Sequence, residues 1–209
     1  MEQAEFLVDG PSTASLTLVL AHGAGAPMDS PFMATIAQGL ADRDLRVVRF
    51  EFIYMRARRT RETRTAPDRE PILLARWRDV IDSMGGGQHL MIGGKSLGGR
   101  IASMVADEAR VRGLVCLGYP FHPPGKAPGL RLKYLRSLRT PALIVQGTRD
   151  SFGTQGEVEA YELSPQIRFA WIEDGDHSFK PRARSGRTEQ QNLAVAVDAV
   201  RSFVRALPR

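Results

Sequence analysis

Apolar residues along this chain gather into two alternating kinds of run. Short, nearly uninterrupted runs rich in valine, isoleucine and leucine predict buried strands at 16–21, 46–50, 88–93, 113–117, 142–147 and 167–172. Between them, stretches with apolar positions three and four apart predict helices near 31–42, 70–84, 97–110, 130–138, 155–161 and 188–207. A strand that is apolar on both sides must be covered on both faces, and the intervening helices supply the cover. The pattern predicts an α/β fold, a mostly parallel sheet flanked by helices on both faces. Met84-Gly85-Gly86-Gly87 reads as a helix stop rather than a domain linker. A chain of 209 residues suits one domain, 1–209, burying about 70% of its unfolded surface.

Candidate chemistry lies where the predicted strands end. Gly94-Lys95-Ser96-Leu97-Gly98 follows one strand and opens a helix. Glycines on both sides of a serine allow strand and helix backbones to approach closely, so that the hydroxyl projects from a sharp turn. The same turn sets the Leu97 N–H in the first turn of a helix, where it can donate to an oxyanion. Gly94-Lys95-Ser96 also resembles the end of a phosphate loop, but that motif needs a glycine where His89 stands.

Two more residues complete a Ser–His–acid set in the chain order serine, acid, histidine. Asp150 ends the run Ala142 to Asp150, just past a predicted strand, and His177 lies on a polar loop after the strand at 167–172. A serine hydroxyl needs a neutral imidazole to take its proton, and the imidazole needs a carboxylate to fix its tautomer. Asp174 and Asp176 compete as the acid, but they lie too close in sequence to His177 to reach its far nitrogen easily. After the first predicted strand, His22-Gly23-Ala24-Gly25-Ala26-Pro27 offers small residues whose backbone can aim N–H groups at an oxyanion. Ala24 is the first choice for that second donor and Gly25 the next. His22 reads as a residue that braces this turn rather than as a proton carrier.

Taken together, His22-Gly23-x-Gly25, Gly94 through Arg100, Gln146-Gly147-Thr148-x-Asp150 and Gly175 through Phe179 resemble the α/β-hydrolase superfamily. The resemblance spans roughly residues 15 to 205 and is to a compact branch related to the dienelactone hydrolases. It implies the α/β-hydrolase fold, with Ser96, Asp150 and His177 as nucleophile, acid and base. Dienelactone hydrolases carry cysteine as nucleophile. Ser96 in its place shifts the expected chemistry toward ordinary esters or thioesters of a small acyl group. The chain length leaves room for a minimal cap or none, with the proline- and glycine-punctuated stretch 120–139 as the expected cover.

Composition narrows the reading further. The single cysteine, Cys116, sits in an apolar run and reads as a small buried hydrophobe. Four dispersed histidines give no metal-ligand spacing, and the expected chemistry needs no cofactor. The N-terminal apolar run follows Glu2, Glu5 and Asp9, the wrong charge for a signal peptide, and it is too short to span a membrane. A cytoplasmic location is expected. The net charge of +6 rests mainly on arginine, with Arg56, Arg58, Arg59, Arg61 and Arg64 crowded together. That stretch reads as a solvated loop or as an anion-binding rim in which Arg58, Arg59 and Arg61 meet a substrate carboxylate or phosphate. No nucleic-acid-binding motif accompanies it. The expected function is serine hydrolysis of a small acyl substrate; the alternative is a non-catalytic interaction protein on the same fold.

Overall fold

A computed structural model of the chain describes residues 6–60, 66–127, 129 and 131–208. Its strands are β1 (Phe6–Asp9), β2 (Leu16–Ala21), β3 (Leu45–Phe50), β4 (Leu90–Lys95), β5 (Gly113–Leu117), β6 (Ala142–Gly147) and β7 (Ile167–Ile172). They form one sheet in the order β1-β3-β2-β4-β5-β6-β7. Only β1 runs antiparallel, against β3. The helices are α1 (Pro31–Leu40), α2 (Ile53–Thr60), α3 (Glu70–Ser83), α4 (Leu97–Val105), α5 (Lys133–Arg136), α6 (Gln155–Glu159) and α7 (Glu189–Ala206).

The strands alternate their apolar side chains between two cores, as a pleat of period two requires. Leu18, Val47, Met91, Val115 and Val145 pack with Ile36, Leu40, Val200 and Phe203 of α1 and α7. Their neighbours Val19, Val48, Ile92, Cys116 and Ile144 pack on the other face with Trp77 and Ile81 of α3 and Ile101 and Val105 of α4. Trp77 anchors that side, with its ring 4.7 Å from Phe50 and edge-on to it. Burying a side chain of this size contributes on the order of 1.5–3 kcal/mol.

The chain steps from β2 outward to β3 and then returns across β2 to β4. Parallel sheets open a crevice at the carboxyl ends of strands where the winding reverses. Here that point lies between β2 and β4, so the loop at 22–27 and the turn at Ser96 meet there.

Several elements differ from the sequence expectation. β1 is a four-residue edge strand held by its pairing to β3 and by an Asp9–Arg49 ion pair at 2.8 Å. Residues 53–60 are helical rather than an open connection, with Asp68 accepting from the Tyr54 N–H at 2.9 Å. The strand expected at 88–93 begins at Leu90, after a single tight turn at Gly87–His89. The helix expected at 97–110 stops at Val105, and the one expected at 130–138 shrinks to Lys133–Arg136. The stretch expected to cover the site instead feeds the core: Phe121, Leu132, Leu135 and Leu138 are buried on the α3–α4 side of the sheet. The cap is minimal.

Candidate active site

Ser96 occupies the junction between β4 and α4 with φ 49° and ψ −111°. A non-glycine residue held there stores on the order of 1–3 kcal/mol of strain, so the surroundings must impose it. Ser96 donates its N–H to the Leu117 carbonyl at 3.0 Å, and its own carbonyl accepts from the Arg100 N–H at 3.0 Å. The glycines permit the close approach. A Cβ on Gly94 would stand 2.3 Å from the Ala21 carbonyl oxygen, and one on Gly98 would stand 2.5 Å from the same atom.

The structure brings Ser96, His177 and Asp150 into one hydrogen-bonded chain. Ser96 Oγ lies 2.8 Å from His177 Nε2, and His177 Nδ1 lies 2.8 Å from Asp150 Oδ2. Asp150 is fully buried, and its other contacts hold it still. Gln146 Nε2 donates to Oδ2 at 2.9 Å and the Phe152 N–H donates to Oδ1 at 2.9 Å. An ionised carboxylate only accepts, so Nδ1 carries the proton and Nε2 turns its lone pair to the serine hydroxyl. Burial pulls the His177 pKa below its ordinary value of 6.5, and the nearby Lys95 charge acts in the same direction. The Asp150 hydrogen bond opposes both. The imidazole is therefore neutral at pH 7. The Phe152 ring stacks on it with centroids 4.2 Å apart.

The competing acids are otherwise engaged. Asp174 receives Arg182 through its backbone N–H and guanidinium and Arg149 through Nε at 3.0 Å. Arg182 chiefly holds its carboxyl near 2. Asp176 Oδ1 accepts the backbone N–H groups of Ser178 and Lys180, which closes the turn carrying His177.

Beside Ser96 opens a cavity of about 370 Å³. Phe32, Met33, Ala24, Gly25, Phe152 and His177 are among its walls, and no arginine lines it among the described residues. The Leu97 N–H opens α4 and has no intrahelical partner. Ala24 and Gly25 stand on the same cavity. The carbonyls of Gly23 and Ala24 accept from Tyr54 Oη at 3.4 and 3.3 Å, and that of Ala24 also accepts from Arg58 at 3.1 Å. A trans peptide points its C=O and the following N–H oppositely. The N–H groups of Ala24 and Gly25 therefore face away from α2. His22 braces the same loop: Nδ1–H donates to the Gly23 carbonyl at 2.6 Å and Nε2 accepts from the Phe52 N–H at 3.1 Å. Fully buried, it is held neutral, its pKa lowered by burial.

Two of the three arginines expected at an anion-binding rim have partners within the protein. Arg59 makes a forked ion pair with buried Glu51, its Nη2 at 2.6 Å, and reaches Asp29 at 2.7 Å. A buried carboxylate requires such a partner, which commits this guanidinium to the protein itself. Arg58 donates to Ala24 and stacks 5.0 Å over Tyr54, bracing the loop and lining no part of the cavity. Arg61 lies outside the described residues.

Four contributors went unassigned in the sequence. Phe32 and Phe152 look like ordinary apolar residues until the fold places them. Gln146 and Lys95 carry a legible signal, a polar residue inside a buried strand, but their partners are far apart in the chain. Gln146 accepts from the Tyr119 N–H at 2.7 Å and donates to Asp150; Lys95 donates to the His177 carbonyl at 2.6 Å.

This arrangement belongs to a known class. Residues 14–205 match the model of the alpha/beta hydrolase domain, and the chain belongs to that family. A dienelactone hydrolase from Anabaena variabilis is similar in structure, with TM-score 0.73 and 20% identity over 98% of this chain and 92% of that one. A Xanthomonas campestris protein described as an α/β serine hydrolase without lid gives TM-score 0.67 and 18% identity, covering 98% of this chain and 89% of its own. A thermophilic esterase from Thermogutta terrifontis gives TM-score 0.68 and 19% identity over 96% and 92%. Among the described residues, no cluster of three or more histidine, cysteine or acidic side chains is arranged to hold a metal ion. No helix among them is long and apolar enough to cross a membrane.

Proposed function

We propose that this protein is a serine hydrolase of esters or thioesters with a small, uncharged acyl group. One observation carries the reading: Ser96, on a strained turn, is joined at 2.8 Å to His177 and through it at 2.8 Å to a buried Asp150, beside an open cavity. Ser96 Oγ attacks the acyl carbonyl carbon while His177 Nε2 takes the hydroxyl proton. The oxyanion is held by the N–H of Leu97 and that of Ala24, with Gly25 adjacent. His177 then returns the proton to the departing alkoxide or thiolate, leaving an ester on Ser96. Water, deprotonated by His177, attacks that ester and releases the acid and the free serine. Asp150 keeps the imidazole in the required tautomer and offsets its transient charge throughout.

The cavity favours a neutral substrate. Its volume of about 370 Å³ is near the lower end for small-molecule sites, and its walls are mostly apolar; Lys95 also lines it, with its ammonium engaged by the His177 carbonyl. The test is a fluorophosphonate probe on the full chain, with the modified peptide mapped, followed by p-nitrophenyl esters of increasing length. Stoichiometric labelling at Ser96 and fastest turnover of short soluble esters are expected. An anionic ester of the same length should gain no advantage at low salt. The ratio kcat/KM should fall with acid only below pH 6.5, because the His177 pKa lies under that value. No labelling and no turnover of any ester would return the chain to the reading of a non-catalytic interaction protein. Preference for long-chain emulsions would overturn the short-acyl assignment.

A further inference from the structure

Lys95 precedes the nucleophile, is only 9% exposed, and takes no part in the steps above. Its ammonium donates to the main-chain carbonyl of His177 at 2.6 Å, bridging the end of β4 to the loop after β7. The side chain passes over the end of β5, where Gly118 has φ 68°. A Cβ there would stand 2.9 Å from both Lys95 Nζ and the His177 carbonyl oxygen, so the bare backbone leaves the passage open. The Phe32 ring of α1 lies 5.5 Å from Nζ. The charged and titratable groups facing this ammonium are Asp150 after β6 and Asp176 and His177 after β7.

We propose that Lys95 is a positioning residue: its ammonium ties the nucleophile strand to the backbone of the histidine loop and holds the imidazole at bonding distance from Ser96. The tether rests on the hydrolase reading above. Its chemistry makes it pH-sensitive. A hydrogen bond from an ionised donor is roughly twice as strong as a neutral one. Burial draws the Lys95 pKa down to about 8, against the opposing pull of Asp150 and Asp176. Above that pH the tether weakens, and the positive field that keeps protons off His177 disappears. Wild-type turnover is therefore bounded on both sides, by His177 protonation in acid and by Lys95 deprotonation in alkali.

The test compares Lys95→Met with wild type in the full chain, using p-nitrophenyl butyrate from pH 5 to 10 and NMR titration of the His177 ring. A misplaced catalytic group loses ~10²-fold in rate, so kcat should fall by about that factor with little change in KM. The His177 titration should move to higher pH, carrying the acid limb of kcat/KM with it. The wild-type alkaline decline near pH 8 should be gone from the variant. A folded Lys95→Met protein with wild-type kcat and an unmoved His177 titration overturns the proposal, as does a wild type showing no alkaline decline. Should Lys95→Met fail to fold, Lys95→Arg decides: it keeps a charge through the alkaline range, so survival of the decline in that variant refutes the tether. Failure of the hydrolase reading is seen separately, as a wild type that takes no probe; the NMR titration still reads whether Lys95 acts on His177.

Discussion

Ser96→Ala is expected to abolish fluorophosphonate labelling and to lower ester turnover by about 10³-fold or more, since no other group supplies the covalent step. The fold should be undisturbed. Alanine at φ 49° is strained much as serine is, and the backbone bonds to Leu117 and Arg100 remain. Circular dichroism and the melting temperature should therefore match wild type while activity is lost. The outcome that would count against the assignment is labelling that persists, with exposed Ser178 the site to examine because it lies on the same cavity.

Asp150→Asn should lower kcat by about 10³–10⁴-fold, nearly as much, for a tautomeric reason. An asparagine amide can donate to Nδ1, which sends the ring proton to Nε2 and leaves nothing to accept the Ser96 proton. The Phe152 N–H would hold the amide oxygen at the Oδ1 position, which turns the amide nitrogen toward His177 Nδ1 at the cost of the bond from Gln146. Asp174→Asn is the control. It breaks the links to Arg182 and Arg149, so it should lower the melting temperature while kcat changes less than about tenfold. If the Asp174 variant were the more damaged in kcat, the acid would have been assigned to the wrong residue.

Much of this was legible because the informative features are local. Six of the seven strands announce themselves as apolar runs, and Ser96, Asp150 and His177 each follow one of them. What escaped depends on distant partners. β1 is four residues whose strand character comes from pairing with β3. Helix α2 has arginines where an apolar face would betray it, and its conformation is fixed by Asp68, Glu51 and Ala24. The same contacts absorb Arg58 and Arg59, two guanidinium groups that look free in sequence. Lys95 shows the limit most clearly, because its partner lies 82 positions away.

The placement of the two tryptophans makes the assembly of this site observable. Trp77 packs on Phe50 toward the β1 side of the sheet, whereas Trp171 stacks on Phe169 within β7 at the opposite edge, ring centroids 5.2 Å apart. Ser96 belongs to the middle of the sheet, but His177 arrives only when β7 docks on β6. Parallel pairings between distant segments form slowly, so the two flanks need not assemble together. In stopped-flow refolding of Trp77→Phe, which leaves Trp171 as the reporter, the return of probe reactivity should follow the Trp171 signal and never precede it. Reactivity that came first would mean that Ser96 is activated without its histidine. Reactivity that follows the Trp171 signal would make acquisition of chemistry a late event in the life of the chain, timed by an edge strand that contributes none of Ser96, Asp150 and His177 itself.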